Sequence, residues 1–350
     1  LKHEKDDVLL LTHHDFYLDR AGMNIISAKR YFTLAIILAS VIAVWDMAVP
    51  HRAMADDSLR VGKAAAQAFQ FIPVDVGLKA GIFRRHQLDV ESIGFAGSVK
   101  LQQGLMADGV DVGLSGGTDL AWVAKGTPVI GVAVISGSPR SLTLMVRTDS
   151  DIRTVADLKG RMVAISATGS LSDWLLRELA RQQGWKPDEI RTVGLGAVTS
   201  MIAALKTKEV DSIFADLGVV YRLEATGEAR RIVNFGDVVK DFYSQVVFAT
   251  QPLSEQRAPV LRRFLAAWLE TIAYMRNNRQ ATIDVAKDIM SITPEAAGAI
   301  YDELMPTFST DGRFDPKASA VLSRSFVELQ LLPTAPDMRT LYTEAFLPGR

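Results

Sequence analysis

The sequence predicts an α/β protein of two lobes followed by a helical tail. Three observations predict it. Short β-like apolar runs alternate with helical patterns from residue 58 onward, the alternation restarts after residue 160, and the chain beyond residue 250 is almost wholly helical. A β-α-β-α-β order implies a parallel sheet with helices on both faces.

In the first lobe, residues 59–62 read as a strand and 74–80 as a helix stopped by Gly81. Residues 88–93 alternate with period two, 99–107 are helical, 111–114 form a strand, 120–124 a helix, and 128–135 a buried strand. Residues 141–147 are a further strand, leading to the turn at 151–160. The second lobe repeats the order with strands at 162–165, 190–193, 212–214 and 231–234, and helices at 171–183, 199–205 and 217–225. A strand at 245–250 precedes helices at 259–277, 280–290, 294–304 and 316–331, each with apolar residues three to four apart. Strands 141–147 and 245–250 are expected to carry the chain between lobes. The division is residues 56–145 with 246–350 as lobe 1, and 146–245 as lobe 2.

The N-terminal residues follow a different pattern. Lys29-Arg30 precede the apolar run 31–45, and Ala53-Met54-Ala55 follow. That order reads as a signal peptide cleaved after Ala55, which sends the protein to the periplasm. The run is 15 residues long, short of the ~20 that span a bilayer, so an uncleaved anchor is the lesser alternative. Residues 1–22 precede Met23 and read as an over-extended frame.

Composition narrows the chemistry. The chain carries a net charge of −1 and no cysteine, which excludes thiol catalysis, disulfides and Cys-based zinc sites. No basic stripe with interleaved aromatics appears, so nucleic acid is not an expected partner. Beyond residue 55 the sole histidine is His86, in the basic run Arg84-Arg85-His86. No P-loop or H-E-x-x-H occurs. The expectation is a binding protein without cofactor, metal or catalytic residues.

Candidate ligand contacts cluster at strand ends. Gln67, Phe69 and Gln70 follow the first strand, and Ser115, Gly116, Gly117 and Thr118 the third. Thr168, Gly169 and Ser170 open the helix at 171, Gly194 to Ala197 follow the next strand, and Asp216 ends another. Hydroxyls, amides and glycines let backbone N–H groups approach a ligand. Each stretch alone also reads as a turn with an N-cap; their recurrence in both lobes favours a shared cleft. Arg140, beside the crossing, is a charge partner for an anionic ligand.

Three segments carry a family resemblance: "GLKAGIFRRHQLDVE" (77–91), "VRTDSDIRTVADLKGRMVAISATGS" (146–170) and "MIAALKTKEVDSIFAD" (201–216). They resemble nitrate/sulfonate/taurine-type substrate-binding proteins of ABC transporters, a group that includes thiamine-pyrimidine precursor receptors. The resemblance implies a type II periplasmic binding protein fold and a monomer. It also implies capture of a small-molecule ligand, sulfonate-, nitrate- or taurine-like or pyrimidine-like, for delivery to an inner-membrane ABC permease. Family contacts fall near 67–70, 115–118, 168–170 and Asp216. Gln87 and Glu209 stand where the family usually has glycine, and Asp216-Leu217 replaces an aromatic-containing turn. A pyrimidine-forming enzyme of the same fold and an exported ligand sensor are the alternatives.

Overall fold

Residues 56–349 are described by the computed structural model; the leader and cleavage site expected at 1–55 lie outside them. β1 (Asp57–Lys63), α1 (Pro73–Lys79), β2 (Leu88–Gly94), α2 (Ser98–Met106), β3 (Val112–Gly116) and β4 (Val129–Ser136) build the first lobe. β5 (Leu142–Arg147), β6 (Met162–Ile165), α3 (Leu171–Gln182), β7 (Arg191–Gly194), α4 (Val198–Lys206), β8 (Ser212–Asp216), α5 (Leu217–Ala225) and β9 (Ala229–Asn234) follow. β10 (Gln245–Thr250) precedes α6 (Ala258–Asn277), α7 (Arg279–Met290), α8 (Pro294–Leu304) and α9 (Pro316–Glu328).

Two five-stranded sheets result, ordered β2-β1-β3-β10-β4 and β7-β6-β8-β5-β9. Both are mixed rather than wholly parallel. β10 runs antiparallel to β3 and β4, and β5 antiparallel to β8 and β9. Each of these strands enters its sheet from the other lobe, so it points against the strands that grew within that sheet. All of β5 sits in the second sheet, so residues 142–145, expected in lobe 1, pair with lobe 2.

The left-handed turns explain two family glycines. Gln87 adopts φ 56° and Lys208 φ 65°, so the second departure from the pattern falls at Lys208 and not at Glu209. A non-glycine residue tolerates that region at a cost of order 1 kcal/mol.

α3 shows how the sequence builds one element. Ser170 accepts a hydrogen bond from the Asp173 amide as N-cap, and Leu171, Trp174, Leu175 and Leu179 form a buried face. Trp174 is stacked on Phe242 with centroids 4.3 Å apart. Its Nε1 donates to Glu328 of α9 at 3.0 Å, and Arg177 donates to the Glu328 carbonyl. α9 therefore packs against lobe 2, although it follows the lobe 1 helices in sequence. Its start is held on the other side, where Tyr243 Oη bonds the Asp315 carbonyl and Ser319 Oγ. Phe314 stacks on Tyr342, which bridges to Gly131 of β4. The core ignores the lobe boundary: one apolar cluster joins Leu101, Val134 and Phe248 with Leu144, Val163 and Phe214.

Candidate functional site

Ligands of open α/β sheets sit beyond the carboxyl ends of the strands, and here those ends face each other. A cavity of about 460 Å³ lies between the lobes. Its first wall comes from the segments after β1, β2 and β3, and its second from those after β6, β7 and β8. Ser141, Leu142 and Gln245, at the starts of β5 and β10, close the hinge side. The walls touch at two places. A Cβ on Gly97 would lie 4.0 Å from the Gly196 carbonyl oxygen, and one on Gly116 3.5 Å from Leu171 Cβ.

Of the expected contacts, Gln67, Gln70, Ser115, Gly116, Ser170 and Asp216 line this cavity. The others have different surroundings. Phe69 is a core residue, packed edge-on against Tyr301 and Phe308, because the chain turns inward after Ala68. Gly117 is pressed against the Tyr243 carbonyl. Arg140 is turned away from the cavity by Asp237 and Glu303, at 3.2 and 3.8 Å. Thr118, Thr168 and Gly169 line a smaller neighbouring chamber of about 200 Å³ with Trp122, Lys125 and Leu331. His86 is on the surface, paired with Glu270.

Polar groups of the cavity are organised around two carboxyls. Asp119 is buried and accepts from Ser115 Oγ at 2.5 Å and from the Gly116 amide. Burial pushes its pKa up to about 7, and the two donors only partly offset this. Asp216 caps α5 by accepting from the Gly218 and Val219 amides; burial raises its pKa as well, opposed by those bonds. Across the cleft, the hydroxyls of Ser166, Ser170 and Ser172 form a triangle with sides of 2.9, 2.9 and 3.0 Å. Three buried atoms on cavity-lining residues have no hydrogen-bond partner among the described residues: Gln70 Nε2, Ser141 Oγ and Gln245 Oε1. Such atoms cost free energy unless a ligand or water meets them.

The run Gly113-Leu-Ser-Gly-Gly117 has the G-x-S-x-G spacing, which the sequence reading passed over. It does not assemble a nucleophile. Ser115 Oγ is spent on Asp119, the Gly116 amide on the same carboxyl, and the Gly117 amide on the Ser244 carbonyl at 3.0 Å. The hydroxyl that would attack is therefore held by a carboxyl, with no histidine among the residues that line the cavity.

Residues missed from sequence include Ser141, Gln245 and the loop Phe95 to Ser98; Asp119 closes the strand-end stretch 115–119 but is not among the expected contacts. Asp119 and Ser98 had a signal, since each follows a glycine-bearing strand end. Gln245 and Ser141 had none, because only the crossing of the chain between sheets brings them to the cleft.

The opening of α3 serves as cap and wall together. Ser170→Ala is expected to cost about 0.5–2 kcal/mol of stability through the lost cap, measured by urea denaturation. Gly169→Val acts elsewhere than in the main cavity. Gly169 has φ 80°, and a Cβ there would meet Leu331 Cδ2 at 2.6 Å. The expected result is a larger stability loss than in Ser170→Ala, because strain and overpacking add. A milder effect in Gly169→Val would contradict this packing.

Comparisons with known proteins give one family model and agree on the fold. The model of the family described as NMT1/THI5 like matches residues 68–282, well over half of the chain. A relative in Escherichia coli (strain K12), assigned to binding aliphatic sulfonates, is 26% identical over 249 residues, 70% of this chain and 76% of that protein. A Haemophilus influenzae relative assigned to thiamine biosynthesis is 28% identical over 139 residues, 39% of this chain and 43% of that protein. The alkanesulfonate-binding protein SsuA of Xanthomonas axonopodis pv. citri, solved with MOPS, superposes with a TM-score of 0.70 at 17% identity, covering 82% of this chain and 98% of that one. The fold is thus that of the periplasmic binding proteins, with two α/β lobes.

Proposed function

This chain belongs to the NMT1/THI5-like family, and from that premise we propose that it is the solute receptor of an ABC import system. It is exported to the periplasm, captures one small polar solute in the cleft, and hands it to a membrane permease. Sulfonate-like solutes are suggested by the Escherichia coli relative, and pyrimidine-like ones by the resemblance in sequence. The lobes are residues 56–141 with most of 245–350, and residues 142–244. The observation that carries the reading is the interlobe cavity, walled by strand-end segments of both lobes and lined by the polar side chains of Gln67, Gln70, Ser115, Ser170 and Asp216. Its size falls in the range usual for small-molecule sites.

The test is a thermal-shift screen of residues 56–350 against sulfonates, nitrate, carboxylates and pyrimidines. A solute at 100 times its Kd stabilises by about 2.7 kcal/mol, which moves the melting temperature by several degrees. Ala96 lines the cavity from an exposed position, so Ala96→Trp is expected to fill the space and abolish the shift. A shift that survives Ala96→Trp would place the solute elsewhere and sink the reading.

A further inference from the structure

The charge of the solute can be read from the cavity walls, an inference that rests on the receptor reading above. None of the residues lining the cavity is Lys, Arg or His. Basic groups nearby are engaged elsewhere: Arg140 with Asp237 and Glu303, and Arg177 with Asp173. Lys125 faces only the smaller chamber. Two carboxyls stand in the wall instead, Asp119 from the first lobe and Asp216 from the second.

Backbone dipoles supply a partial counterweight. α2 and α4 begin at the cavity without side-chain caps, and their first amides suit a hydrogen-bond acceptor. The two other helices that start there are already satisfied, α3 by Ser170 with Asp173 in its first turn, and α5 by Asp216. Gln245 lines the cavity, and its side-chain amide can turn either its oxygen or its nitrogen toward a solute. A sulfonate or nitrate would share a desolvated space with two acids, which repel it whenever they are ionised and must hold their protons to admit it. A solute with N–H groups meets a carboxylate from either lobe, and its acceptors meet the open ends of α2 and α4. Phe71, Phe95 and Phe214 line the same space, and aromatic side chains suit a cation better than an anion.

We propose that the cavity takes a nitrogen-bearing solute of zero or positive net charge, its ammonium, amidinium or amide N–H groups directed at Asp216 and Gln245, and that it rejects free oxyanions. Binding of a cation then favours the ionised acids. The charged groups in play are Asp119 beside Ser115 and the Gly116 amide, Asp216 with Arg222 along its own helix, the Asp173–Arg177 pair of α3, and Lys125.

Calorimetric titration of residues 56–350 with skeleton-matched probes tests this: benzamidinium, benzamide, benzoate and benzenesulfonate, together with the corresponding propyl compounds. Amidinium or amide members are expected to bind at least 10-fold tighter than their carboxylate and sulfonate counterparts. Cation binding at pH 6.5 is expected to release protons, seen as a difference between buffers of unlike ionisation enthalpy. Asp216→Asn keeps the helix cap and removes the charge; it is expected to weaken the cations 10-fold or more and to leave amides within about threefold. Tighter binding of benzenesulfonate or propanesulfonate would overturn the inference and leave the receptor reading standing. Cation affinities unchanged in Asp216→Asn would also overturn it. If no member binds at millimolar concentration, the inference falls, and the thermal-shift screen alone decides the receptor reading.

Discussion

Asp119→Asn is expected to raise the melting temperature at pH 8 while leaving it nearly unchanged, or slightly lowered, at pH 4.5. The wild-type carboxyl has its pKa raised by burial from 3.8 to about 7. The native state therefore holds a proton between about pH 4 and 7 that the unfolded chain has released. Stability falls as pH rises through that window, and above pH 7 the full cost of the buried charge is present. A shift of about three units corresponds to about 4 kcal/mol. Asparagine never ionises and still accepts from Ser115 Oγ, so its stability has no such slope. Thermal denaturation of both proteins at pH 4.5, 6, 7 and 8 is the check, with a gain of a few degrees expected at pH 8. Parallel pH profiles would mean that Asp119 is solvated and ionised throughout.

Gly117→Ala carries the largest expected loss. A Cβ at this position would lie 1.8 Å from the Tyr243 carbonyl oxygen and 2.8 Å from its carbon. Neither can retreat, because the Gly117 amide is bound to the next carbonyl, Ser244, at 3.0 Å. The Tyr243 ring is itself locked by Phe314 and Ser319. Overpacking usually costs 1–3 kcal/mol where side chains can adjust; a backbone collision should exceed that range, on the order of 4 kcal/mol or more. Gly126→Ala is the control. Gly126 has a positive φ, of 84°, which Gly117 does not, and nothing stands within 4 Å of its Cβ position, so about 1 kcal/mol is expected. Equal urea midpoints for the two variants would refute the contact.

Local patterns made much of the fold legible. Helices 217–225 and 294–304 and strand 245–250 coincide with the observed elements, because caps, apolar periodicity and flanking prolines all lie within a few residues. Strand direction was not legible at β5 and β10. Their antiparallel insertion depends on pairing partners more than 60 residues away, such as Leu142 with Asp216 and Val247 with Leu114. The same limit divided the candidate site. Ser115, Ser170 and Asp216 line the cavity as expected because each ends a strand or starts a helix. Arg140 was misjudged, since its partners Asp237 and Glu303 come from distant elements. Phe69 was misjudged because nothing local distinguishes a ring aimed at a ligand from one aimed at Tyr301 and Phe308.

The position of α9 bears on how tightly any solute can be held. Two crossings near residues 137–141 and 239–244 would by themselves leave the lobes free to twist as well as bend. α9 is a third tether, fastened to lobe 1 through Tyr342 and Phe314 and to lobe 2 through Glu328 and Leu331. A third point of attachment removes most of the twist and narrows the set of unliganded arrangements. The apparent dissociation constant equals the intrinsic one divided by the population of the competent arrangement. By excluding splayed geometries before any solute arrives, α9 raises that population and lowers the entropy lost on capture.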